Sequence, residues 1–216
     1  MLALYGHLFS SYTWKALIPL YANETPFEFR SVGPDQPENT AFVQAAGPMG
    51  KFPVLQDGET VVFESSAIID HLDAFHPGPN RFVPADPAAA IRTRMMDRVF
   101  DNYVMNMMQE SVVAAIRNPG APDPEVLARV NEKLERVYAW LENWLDTYDP
   151  PLGITLVECA AAPSLFYADW VHQIDRRFPR LARWRAHLLT LPAVSRCVED
   201  ARPFRAWFPL GAPDRD

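Results

Sequence analysis

The sequence predicts an α/β unit followed by an all-α unit. Three observations carry this. The first 75 or so residues alternate between short β-rich runs and helical runs, in the order β-α-β-α-β-β-α. The stretch His76 to Pro87 then holds four prolines in twelve residues, which no helix can continue through. Beyond it, apolar residues recur at the three-to-four spacing of amphipathic helices.

Each element has its own signal. Leu2 to Gly6 reads as a buried strand. Ser10 to Asn23 reads as a helix opened by Ser/Thr capping chemistry, with Pro19 as an internal irregularity. Phe27 to Val32 alternates like a strand, and a short helix is expected near Glu38 to Ala46. Pro53 to Gln56 and Thr60 to Phe63 flank Asp57-Gly58, the pattern of an antiparallel hairpin. Glu64-Ser65-Ser66 opens a helix through Phe75. We assign residues 1–77 to a first domain, 78–87 to a linker and 88–216 to a helical domain. In the latter, Ile91, Met95, Val99, Tyr103 and Met107 recur every fourth residue. Leu127, Val130, Leu134, Val137, Leu141 and Trp144 form a second stripe. Three shorter helices are expected over Thr155 to His172, Pro179 to Thr190 and Pro192 to about Ala201. Thr155 and Glu158 fit the S/T-x-x-E capping box, a folding element.

Composition narrows the function. The 216 residues are 49% hydrophobic and 22% charged, an ordinary globular mixture. A formal charge of −7 argues against nucleic-acid or polybasic membrane partners. Two cysteines cannot make a disulfide framework and favour a reduced, cytoplasmic setting. The apolar stretch Cys159 to Ala168 is too short to span a bilayer, and His7 and Lys15 interrupt what would be a signal-peptide core. Neither the five histidines nor the cysteines show paired metal-ligand spacing, so no metal is expected. Dinucleotide, P-loop and G-x-S-x-G motifs are absent from the sequence.

Three constellations carry chemistry. In Phe9-Ser10-Ser11-Tyr12-Thr13-Trp14-Lys15, a hydroxyl sits near the positive end of a helix and can donate to an anion, or merely cap. In Gly50-Lys51-Phe52-Pro53, a strand-opening proline leaves backbone groups beside it unpaired, which creates a docking edge for a peptide-like ligand. Glu64 and Ser65 stand where a strand gives way to a helix, placed to bind an amino group and a carboxylate, or to cap.

Together, the order and spacing of these motifs resemble the soluble glutathione transferases, over nearly the whole chain. GKFPVLQDGETVVFESSAIIDHL, residues 50–72, is similar to the family's G-K-x-P-x-L…E-S-x-A-I-x-x-Y/H-L signature. TLVECAAAP, residues 155–163, is similar to its S-x-A-D-x-x-x-A-P element, with Glu158 in place of the Asp. The resemblance, to serine-type bacterial-like or zeta/theta-like members, implies a thioredoxin-like N-terminal domain, an all-helical C-terminal domain, a cis bond before Pro53 and a homodimer. It implies that Phe52 presents its backbone to the cysteinyl part of glutathione, that Glu64 and Ser65 hold the γ-glutamyl end, and that Lys51 holds the glycyl carboxylate. Ser10 matches the catalytic serine of the serine-type classes. Ser10-Ser11-Tyr12 lacks the cysteine of the S-S-C form, which leaves Ser11 and Tyr12 as rivals for that role. Phe9, Tyr12, Tyr103, Met107, Trp207 and Phe208 are the candidate walls for a small apolar electrophile.

The implied reaction needs no protein nucleophile. A free thiol of pKa about 8.5 is roughly 3% ionised at neutral pH. Lowering that pKa by about two units raises the thiolate roughly 25-fold and takes about 2.7 kcal/mol, within reach of a donated hydroxyl bond and a helix N-terminus. Positions 9–15 lack cysteine, which disfavours chemistry through a mixed disulfide. Two alternatives stay open: a glutathione-dependent isomerase, and a binding module of the same fold with little catalysis.

Overall fold

The computed structural model describes residues 1–150 and 153–216. Its N-terminal domain is thioredoxin-like: β1 (Leu2–Gly6), α1 (Ser11–Ala22), β2 (Glu28–Ser31), α2 (Pro37–Ala46), β3 (Val54–Asp57), β4 (Thr60–Phe63) and α3 (Ser65–Phe75). The sheet order is β2-β1-β3-β4, with β1 parallel to β2 and antiparallel to β3. β1 is buried on both faces, which explains its unbroken apolar run. Leu4 and its sheet partner Leu55 face the main core with α1 and α3, while Tyr5 and Val54 face a smaller cluster containing Val43 of α2.

The C-terminal domain is all-helical: α4 (Pro87–Val99), a π-helical segment (Phe100–Met105), α5 (Asn106–Arg117), α6 (Pro124–Trp144), α7 (Leu156–Val171), α8 (Pro179–Thr190) and α9 (Pro192–Ala201). A short 3₁₀ segment, Arg202–Trp207, follows. The capping box forms at α7: Glu158 Oε2 accepts the Thr155 N–H at 2.9 Å, and Thr155 Oγ1 accepts that of Val157 at 3.2 Å. α7 is buried along nearly its whole length and packs against α1, where Trp14 meets Phe166 and Tyr167.

One stripe lies on the wrong side of its helix. Ile91, Met95 and Tyr103 are exposed, and Val99 and Met107 are half-buried. The buried face runs instead through Met96, Asp97, Phe100, Asp101, Val104 and Met108. Two aspartates on the inward face made the outward one look the more apolar. Arg98 stands near both, and both pair with Lys15 of α1, whose side chain is fully buried. Its Nζ lies 2.5 Å from Asp97 Oδ1 and 2.7 Å from Asp101 Oδ2, and donates to Ser66 Oγ at 2.9 Å. This cluster joins α1, α3, α4 and the π segment across the seam between the domains, as a buried charge requires.

Candidate active site

The seam opens into two adjoining cavities that share Tyr12 and Phe52. The first, about 300 Å³, has a polar wall: Lys51, Glu64 and Ser65 from one domain, and Arg98, Asp101 and Asn102 from the other. Lys51 and Glu64 are exposed, whereas Ser65 is buried. The Phe52–Pro53 peptide is cis. α3 begins at this cavity without a side-chain cap. Glu64, its N-cap residue, has φ +69° and ψ 117° and accepts no hydrogen bond there, so neither it nor Ser65 plays the simple capping role. A non-glycine residue in that region costs about 1–3 kcal/mol, and such strain clusters at ligand sites. The first amides of a helix lack intrahelical partners and attract anions. This helix therefore offers uncompensated donors beside a buried hydroxyl.

The second cavity, about 320 Å³, is more apolar. Phe9, Met108, Val112, Tyr167, Trp207 and Phe208 line it, and Ser10, Ser11 and His7 open onto it. The loop carrying these hydroxyls is pinned from several sides. The Trp14 indole donates to Leu8 O at 2.7 Å, and the Tyr167 hydroxyl donates to Phe9 O at 2.9 Å. Gly6 is required because a Cβ there would lie 2.7 Å from the Thr13 side chain.

The three candidate hydroxyls differ in what they are free to do. Ser10 is the N-cap of α1: its Oγ accepts the Thr13 N–H at 3.3 Å. That bond fixes the oxygen and leaves its proton available. Ser11 is buried at the cavity edge, and no hydrogen bond engages its hydroxyl among the described residues. Tyr12 already donates to Asn106 Oδ1 at 2.8 Å. Burial, and then the charges of Asp101, Glu64 and Asp97, push its pKa well above the ordinary phenol value, so it stays protonated. His7 Nδ1 accepts the Phe9 N–H at 3.2 Å, which assigns the ring proton to Nε2, and burial lowers the pKa of the ring. Both cysteines are wholly buried with pKa values pushed up by desolvation, so the protein offers no thiolate of its own.

Phe9, Tyr12, Trp207 and Phe208 thus come together beside Ser10 and Ser11. Tyr103 and Met107 do not. They line a separate apolar groove of about 630 Å³ with Val99, Val137 and Trp140. The reason is helical phase: Met108 and Val112 face the seam, and residues 103 and 107 point well round the helix from them. Sequence reasoning missed Arg98, Asp101, Asn102 and Asn106. Asp97 and Asp101, one turn apart on the buried face, were the available signal.

Residues 4–80 match the family described as "Glutathione S-transferase, N-terminal domain". The chain is similar to a Vibrio cholerae protein named "Probable maleylacetoacetate isomerase", with 26% identity over 94% of this chain and 97% of the other. In fold it is similar to an epsilon-class glutathione S-transferase from the housefly, Musca domestica (TM-score 0.82, 19% identity, 96% of this chain and 97% of the other). It is also similar to a glutathione S-transferase from Methylobacillus flagellatus crystallised with GSH bound (TM-score 0.77, 22% identity, 91% and 98%).

Proposed function

We propose that the protein is a glutathione transferase that ionises the thiol of bound glutathione for attack on a small apolar electrophile. The observation that carries this is the uncapped, strained entrance of α3, facing a polar cavity that adjoins an apolar one across Tyr12 and Phe52. In this reading the α3 amides and Ser65 take the γ-glutamyl carboxylate, Glu64 takes the amino group, Lys51 takes the glycyl carboxylate and the Phe52 backbone takes the cysteinyl part. The thiol then points toward the second cavity. The thiol proton leaves to solvent, and the Ser10 O–H donates a hydrogen bond to the resulting thiolate sulfur, a donation strengthened by the Thr13 N–H on its oxygen. The thiolate forms the C–S bond as the leaving group departs, and proximity supplies much of the rate. Ser11 is the remaining rival for the donor role, since the phenol proton of Tyr12 is committed to Asn106.

The test is turnover of a chromogenic aryl halide. Ser10→Ala should lower kcat/KM by about 10–100-fold, the worth of one hydrogen bond to a charged group. An unchanged rate would transfer the role to Ser11. A second reading, an isomerase that adds and then removes glutathione, is favoured by the likeness to the Vibrio cholerae protein and by Ser10-Ser11. It predicts rearranged product with no net consumption of glutathione.

The same reading makes the protein a homodimer. The exposed Ile91, Met95 and Tyr103, the last sharing a groove with Trp140, offer the apolar face such a dimer would cover. Light scattering on Tyr103→Glu should show a shift from two chains toward one. Among the described residues no helix is long and apolar enough to cross a membrane.

A further inference from the structure

We propose that Asp57, His71 and His76 form a binding site for a borderline divalent metal ion, Zn²⁺ in the first instance, at the opposite end of α3 from the polar cavity. Asp57 ends β3 at the hairpin turn, His71 lies on α3 and His76 is its C-cap. Asp57 Oδ2 is 3.0 Å from His71 Nε2 and 2.6 Å from His76 Nε2. The ligand atoms of all three lie within 4.8 Å of one another, and each residue is partly buried. In a tetrahedral site with metal–ligand bonds of about 2.0–2.1 Å, ligand atoms stand roughly 3.3 Å apart, so only small side-chain movements are needed.

The surroundings favour a cation. The last turn of α3 contains no basic side chain, and a helix C-terminus carries negative partial charge. Two imidazoles and one carboxylate are the donor set of open zinc sites, with water as the fourth ligand. The nitrogen donors disfavour Mg²⁺ and Ca²⁺. When the ion binds, the Nε2 lone pairs of both imidazoles face the metal and the ring protons lie on Nδ1. The two hydrogen bonds to Asp57 are exchanged for three bonds to the ion. The bound ion would staple the β3–β4 turn to the end of α3. Sequence spacing concealed the site, because the histidines are five apart and the carboxylate comes from the preceding hairpin.

The test is titration of tag-free, chelator-treated protein with ZnCl₂ in the absence of glutathione, followed by calorimetry and by thermal melting. The expected result is one Zn²⁺ per chain and a raised Tm, with no response to MgCl₂. His71→Gln and His76→Gln should each weaken binding by at least about tenfold while keeping the metal-free Tm near that of the wild type. Absence of zinc binding by the wild type, or binding by both variants as tight as the wild type's, would overturn the proposal. Neither result bears on the glutathione reading, because neither variant touches the two cavities.

Discussion

The two cavities at the domain seam are built by different means. The polar one is framed on one side by backbone devices, namely an uncapped helix entrance, a cis peptide and a residue at positive φ, all within residues 50–65. The apolar one is made of side chains gathered from far apart, from Phe9 through Met108 and Tyr167 to Phe208. Backbone devices are local and suit the constant part of a ligand. Scattered side chains can vary without disturbing the fold and so suit the variable part.

The largest effect should come from the cluster beneath the polar wall. Lys15→Met strands Asp97 and Asp101 without their buried cation and should cost about 3–5 kcal/mol of stability, read by denaturant unfolding. Desolvation already raises the pKa of Asp101, so the remaining carboxylates have no easy relief as anions. A loss below about 1 kcal/mol would mean that Arg98, near both carboxylates, suffices.

Next in size, Ser65→Ala should raise KM for glutathione about 10-fold with kcat nearly unchanged, the signature of lost ground-state binding. Trp207→Ala removes part of the apolar wall. It should raise KM for the electrophile several-fold, at a cost of about 1 kcal/mol, and leave glutathione binding alone. If Ser65→Ala affected the electrophile as strongly as glutathione, the division of labour between the cavities would fail.

The smallest effect concerns His7. Its folded-state pKa lies below the ordinary 6.5, so between the two values the unfolded chain binds more protons. Stability is therefore held above pH 6.5 and lost as pH falls through the folded pKa. His7→Gln should flatten that acid limb, measured as Tm against pH.

The same contrast explains what could be read from the sequence. The order of strands and helices, the hairpin at Asp57-Gly58 and the capping box at Thr155 are set by local chemistry, and the structure has each of them. That residues 51–53 and 64–65 line one cavity follows from a short, ordered backbone motif that the sequence also displays. Tyr103 and Met107 were misplaced because apolarity picked a helix face that two buried aspartates in fact cede to solvent. Arg98, Asn102, Asn106 and the Asp57–His71–His76 cluster depend on how distant elements meet, and no spacing in the chain announces that.

The central claim is that an alcohol at the start of α1 holds a bound thiol ionised. Its most direct measurement is the ultraviolet difference titration of glutathione in complex with the wild type and with Ser10→Ala. The account predicts a bound thiol that ionises about two units below the free value of about 8.5, and a return toward that value in Ser10→Ala. A bound thiol that titrates at its free value, or one indifferent to residues 10 and 11 alike, would contradict it.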